Sequence, residues 1–76
     1  MKFTSQELFD VSYVLDKEID RLQQEIAKAQ HNYLKGRITE AEEEKKYKHY
    51  NDRIDELARL KQKVFNAAYA ARFDEL

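Results

Sequence analysis

Lys35-Gly36-Arg37-Ile38-Thr39-Glu40-Ala41-Glu42 is the stretch that decides the fold. Gly36 is the only glycine in 76 residues, and the chain has no proline. Those two residue types disfavour a helix interior most strongly. Glycine also takes the left-handed conformation that closes a helix C-terminus. Three residues later Thr39 can cap a new helix, with Glu42 completing a capping box. Because Gly36 lies near the midpoint, the spacing predicts two long helices, over residues 5–35 and 40–74, joined by a turn at 36–39. Each is expected to be roughly 45–50 Å long.

Start signals recur at the N-terminus. Thr4 and Glu7 form a second capping box, and Phe3 with Leu8 can make a hydrophobic staple over it. Apolar residues then follow one stripe: Leu8, Val11, Leu15, Ile19, Leu22, Ile26, Ala29 and Tyr33. From Leu15 onward the steps alternate between 4 and 3, the heptad seam of packed helices. Past the turn, Glu40, Glu42, Glu43 and Glu44 sit where the helix dipole favours negative charge, and Lys45, Lys46 and Lys48 follow within pairing distance. The second stripe is Tyr47, Tyr50, Ile54, Leu57, Leu60, Val64, Ala67, Ala68 and Ala71. A strict heptad would place Lys61 after Leu57, so using Leu60 instead predicts a local stutter. A hairpin centred near Arg37 sets Leu22 opposite Ile54, Ile19 opposite Leu57, Leu15 opposite Leu60 and Leu8 opposite Ala67.

The segment Gly36-Arg37-Ile38-Thr39-Glu40-Ala41-Glu42 resembles a turn of bacterial and phage helical hairpins, such as the hairpin insertion of large serine recombinases and the small short-C-terminal-type domains. The likeness covers the turn alone and follows from cap chemistry. It implies a hairpin and carries no function with it.

Composition narrows the function classes. One domain at most fits this length, and its core is small. Without cysteine the chain has no disulfide or thiolate metal site, which suits a reducing compartment. Residues 1–38 carry six charges of each sign, and residues 39–76 carry nine acidic and eight basic. The basic excess of a dedicated nucleic-acid binder is lacking. No apolar run approaches the roughly 18 residues of a membrane span, and the N-terminus lacks a signal-peptide core. The final Phe73-Asp74-Glu75-Leu76 is superficially similar to a retention tail, which needs such a signal to be read. The expected location is the cytoplasm, with no membrane partner.

Catalytic and metal constellations are sparse. His31 and His49 fall off the apolar stripes, and neither has a ligand-spaced partner on its own helix. Asp16, Glu18, Asp20, Glu25, Asp52, Asp55 and Glu56 share faces with Lys or Arg, without a pocket to shift a pKa. One glycine cannot build a phosphate-cradling loop. We expect no cofactor, no metal and no enzymatic activity.

An interaction surface is the stronger expectation. The open end of the hairpin gathers Leu8, Phe9, Val11 and Tyr13 from the first helix and Phe65, Tyr69 and Phe73 from the second. That is more apolar surface than two helices hide between themselves, and such patches mark interfaces. The expected protein is all-α: a two-helix antiparallel hairpin, coiled-coil-like, dimerising into a four-helix bundle. Its expected function is non-enzymatic protein binding through those aromatic residues. Small charged hairpins of this kind are similar to accessory proteins of phages and mobile elements, which implies docking on, and inhibition of, a partner. The alternatives are a nucleic-acid accessory protein using Lys45, Lys46, Lys48, Arg53, Arg59 and Lys63 with the neighbouring tyrosines, or an assembly and scaffolding subunit.

Overall fold

The computed structural model describes residues 2–76. Two helices, α1 (Ser5–Leu34) and α2 (Glu40–Glu75), pack side by side in a rod of 57 × 17 × 14 Å. Among the described residues there is no strand.

Local chemistry fixes both starts and the reversal. The Thr4 hydroxyl accepts from the Glu7 N–H at 3.2 Å, and the Glu7 carboxylate accepts from the Thr4 N–H at 2.9 Å. Thr39 and Glu42 repeat this box at 3.2 and 3.4 Å. At the end of α1 the Gly36 N–H donates to the Tyr33 carbonyl at 3.0 Å and the Arg37 N–H to the Asn32 carbonyl at 2.9 Å. Those two bonds are a Schellman closure, which needs a left-handed residue between them; Gly36 supplies it with φ +73°. The last ten residues continue α2 to Glu75 and do not bend back.

The seam is a stricter heptad than the apolar residues alone indicate. In α1 the inward positions are Ser5, Leu8, Ser12, Leu15, Ile19, Leu22, Ile26 and Ala29. Ser12 is 3% exposed, whereas Val11, expected on the seam, is 42% exposed. In α2 they are Tyr50, Ile54, Leu57, Lys61, Val64, Ala68 and Ala71, again in unbroken steps of 4 and 3. Leu60 is 47% exposed and Ala67 is exposed, while Ala68 is 0% exposed. The stutter is therefore absent, and the expected oppositions through Leu60 and Ala67 shift by one residue, to Lys61 and Ala68. The physical reason is that backbone angle, not side-chain polarity, decides which residue faces the partner helix. Small side chains at Ser12 and Ala68 suit close approach. Lys61 lays its alkyl stem along the seam and donates from its ammonium to Asp16 Oδ1 at 2.6 Å.

Two helices share one seam, so the core is thin. Leu22, Ala29, Leu57 and Ala68 are the buried apolar residues, and no large side chain is fully buried among the described residues. The accessible surface is 6136 Å², against about 4,900 Å² for a compact monomer of this mass.

Two stability measurements check this account. No atom lies within 4 Å of a Cβ built on Gly36, so Gly36→Ala meets backbone strain alone. Urea unfolding is expected to show a loss of about 1 kcal/mol. Lys61→Leu is expected to raise the urea midpoint, because it extends the apolar seam, while Arg59→Leu on the outer face leaves it unchanged. A fall in the midpoint for Lys61→Leu would return Lys61 to the outside.

Candidate interaction surface

Each helical residue advances about 100° around the axis, so residues just before and just after a seam position fall on opposite flanks of the hairpin. Phe9, Tyr13 and Asp16 follow seam positions in α1, as Ala58, Gln62, Phe65 and Tyr69 do in α2. Val11, Val14 and Glu18 precede them in α1, as Arg53, Leu60 and Ala67 do in α2. The first set forms an aromatic flank and the second an aliphatic one.

On the aromatic flank the two helices meet through rings. The Phe9 centroid lies 5.5 Å from Phe65 at an interplanar angle of 82°, and 5.9 Å from Tyr69 at 86°. These are edge-to-face contacts, the favoured aromatic geometry. Phe65 and Tyr69 pack with their centroids 5.5 Å apart and their planes tilted by 53°. Phe9 and Phe65 are half-buried, and Tyr69 stands exposed above them. Tyr13, one turn beyond Phe9, is exposed and carries the Lys17 ammonium 5.2 Å from its ring centroid. Phe73 is 76% exposed and shares a shallow depression with Tyr69, Arg72 and Leu76. A second depression lies toward the turn between Ile19, Ala58, Gln62 and Phe65, bounded by the Asp16–Lys61 pair.

The expected open-end cluster thus divides. Phe9, Phe65 and Tyr69 come together, Tyr13 and Phe73 lie at the margins, and Leu8 sits half-buried in the seam. Val11 belongs to the opposite flank. There it joins Val14, Leu60, Ala67 and Ala70, all exposed. Sequence reasoning missed this aliphatic patch because it spent Val11 and Leu60 on the seam; a heptad counted strictly through Ser12 and Lys61 would have found it. Toward the turn the same flank becomes ionic, with Glu18–Arg21 at 2.6 Å, Glu25–Lys28 at 3.3 Å and Arg53–Glu56 at 2.9 Å. The Arg21 hydrogen bond holds the Glu18 carboxyl below its ordinary pKa, opposed by desolvation and helped by the charges of Arg21 and Arg53. Glu18 in turn raises Arg21. Exposed pairs of this kind add little stability.

The basic residues do not make one face. Arg53 and Lys63 precede seam positions, Arg59 lies away from the seam, and Lys45, Lys46 and Lys48 surround the exposed Tyr47, with Asp52, Asp55 and Glu56 among the cations. His31 and His49 are exposed, the latter with its ring 5.5 Å from that of Tyr50. No group of three or more potential metal-ligating side chains gathers among the described residues. Neither helix is long and apolar enough to cross a membrane.

A polar clasp closes the open end. The Ser5 N–H donates to Glu75 Oε1 at 2.8 Å and the Ser5 hydroxyl to Oε2 at 2.5 Å. The hydroxyl bond, then the N–H bond, lower the Glu75 pKa, against desolvation and with help from Arg72. A carboxylate lowered in the folded state contributes stability above its ordinary pKa and loses it as pH falls through the folded value. The Ser5 amide resonance is accordingly expected to titrate with a midpoint below that of an unstructured glutamate, about 4.3. Glu75→Gln should remove the titration, and a midpoint at or above the ordinary value would contradict the clasp. The chain matches no protein-family model, no curated protein and no solved structure, and its function has to be read from these surfaces.

Proposed function

We propose that this chain is a non-enzymatic protein–protein interaction module that pairs with a second copy as a four-helix bundle and docks a partner protein on its open-end aromatic flank. The observation that carries this reading is the layered aromatic cluster. Phe9 and Phe65 form a half-buried base locked edge-to-face, on which Tyr69 stands exposed, with Tyr13 and Phe73 at its margins. Rings held in place by a base lose little freedom on binding, and aromatic anchors carry much of the affinity of protein interfaces. The fitting partner offers an apolar groove or helix face, and the hairpin acts by occupying it, which is the mode of a small inhibitor or accessory protein. A cysteine-free chain suits the cytoplasm for this work. The carboxylates and histidines stand on open, mixed-charge faces, a setting that favours binding over proton-transfer chemistry. The scatter of the cations around α2 likewise favours a protein over a nucleic acid as partner.

Site-specific photo-crosslinking tests the reading. A photoreactive residue replacing Tyr69 is expected to capture a discrete protein in cells, and one replacing Lys45 is not. Tyr13→Asp with Phe73→Asp should weaken that capture by at least tenfold while far-ultraviolet circular dichroism stays unchanged. Equal capture from both positions, or capture of nucleic acid lost in Lys46→Glu with Lys48→Glu, would overturn it.

A further inference from the structure

We infer that the seam is itself a binding surface for a second copy: the turn opens, the chain runs as one helix from α1 into α2, and two such helices pair antiparallel with α2 exchanged between copies. The inference does not rest on the docking reading above. It also differs from the four-helix pairing proposed there, in which both hairpins stay closed.

Register carries it. From Ala29 the α1 seam steps onward by 4 and 3 through Tyr33, Gly36, Glu40, Glu43 and Tyr47, and lands on Tyr50, where the α2 seam begins. A hairpin needs no such agreement, because its turn resets the phase of the second helix. A single helix through the turn does need it, and gains from it one unbroken heptad seam over residues 5–75. Such a helix meets no proline, and Gly36 is the only glycine on its path. It would be about 105 Å long, against 57 Å for the closed rod.

Symmetry names the partner. Ile38 is the numerical midpoint of each opposed pair, Leu8 with Ala68, Leu15 with Lys61 and Leu22 with Ile54. An antiparallel copy with its two-fold axis at Ile38 therefore offers every seam residue the neighbour it already has, now from the other chain. The Asp16–Lys61 bond, the Ser5–Glu75 clasp and the Phe9–Phe65 contact all re-form between copies. A parallel copy would set Lys61 on Lys61 and separate all three. Only the turn differs between the two forms. Opening gives up the left-handed Gly36 closure and the Thr39–Glu42 box. It removes the reversal beside Tyr33 and Tyr47, seam positions that are 39% and 46% exposed in the closed form. It also brings Arg37 opposite its own counterpart, in the register that joins Phe9 to Phe65. The glycine turn and the Arg37 repulsion hold the hairpin closed, and replacing Gly36 releases it.

The absence of cysteine makes connectivity readable. Gln23 and Asn51 stand in the relation of Phe9 and Phe65, two heptads nearer the turn. With Gln23→Cys and Asn51→Cys together, a short bis-maleimide joins the two positions within one chain in the closed form and between chains in the exchanged one. A denaturing gel reads these as 9.1 kDa and twice that mass. With Gly36 in place, bridges are expected within the chain at micromolar concentration, and between chains after unfolding and refolding at millimolar concentration. Gly36→Ala should lower the concentration of half-maximal interchain bridging at least a hundredfold, because each of two chains trades a strained turn for a helix former. Two alanines inserted after residue 36 in that variant keep the helix formers but rotate the α2 seam away from the α1 seam, and should return the bridges to within the chain. If Gly36→Ala loses helix in the circular-dichroism spectrum, the concentration series with Gly36 in place decides. Bridges confined to one chain at every concentration, or interchain bridges that survive the insertion, would each overturn the exchange. A light-scattering dimer whose bridges all stay within one chain overturns it too, and leaves the closed four-helix pairing standing. Interchain bridges in a chain whose Tyr69 position captures no protein leave the exchange standing and overturn the docking reading alone.

Discussion

Everything in this molecule depends on one strip of contact. Two helices meet along a single heptad seam, and the seam must supply register, handedness of approach and most of the buried surface. A bundle of four helices surrounds each core side chain with neighbours on several sides. A hairpin gives each one a neighbour on one side only, which is why Leu22 and Leu57 come close to full burial but no large side chain reaches it. The two flanks inherit whatever the seam leaves uncovered.

The seam also admits polar residues, and two of them are paired in a way that fixes geometry. Lys61 reaches sideways to Asp16, and Glu75 takes both donors of Ser5. Both pairs bring together residues from opposite ends of the sequence, so a slip of either helix by one turn would break them. Neither group is deeply buried, and the desolvation penalty that makes interior ion pairs unprofitable is small here. What they contribute is register more than stability. The Phe9–Phe65–Tyr69 cluster works in the same direction, because edge-to-face rings at about one centroid separation tolerate little sliding. Fixed register in turn decides which residues lie beside the seam, and so composes both flanks.

The hairpin itself was legible in the sequence because its signals are local. Thr4 and Glu7, Thr39 and Glu42, and the single glycine each act within a few residues, and the structure realises both boxes and the left-handed Gly36. The middle of the seam was equally plain, since Ile19, Leu22, Ile26, Ile54 and Leu57 are all aliphatic, whereas Tyr33 and Tyr47, expected on the stripes nearer the turn, are 39% and 46% exposed. The open half was misread because polarity and geometry disagree there. Val11 beside Ser12, Leu60 beside Lys61 and Ala67 beside Ala68 each offer two neighbouring residues for one seam position. Choosing the more apolar of the first two pairs, and setting Ala67 opposite Leu8 while keeping both alanines on the stripe, placed exposed residues inside. A long lysine stem and a small serine both fit a seam better than their hydropathy indicates. The aromatic cluster was visible as two stripes, but whether the stripes would close on each other is a tertiary matter that no spacing on one helix reveals.

The division of the surface along the rod has a further consequence. A rod with two apolar flanks could stack without limit, flank on flank, into a filament. Here the closed half of the aliphatic flank is an alternation of Glu18, Arg21, Glu25, Lys28, Arg53 and Glu56, and its ions are already paired along their own helices. Paired surface ions gain little from a new neighbour and lose water to it. On the aromatic flank the two half-buried rings, Phe9 and Phe65, face each other, so what remains outward is a few separated rings, not a continuous sheet. The positions of those rings are set by the register of the seam. The same strip of contact that holds the hairpin together therefore also determines which side chains each flank presents.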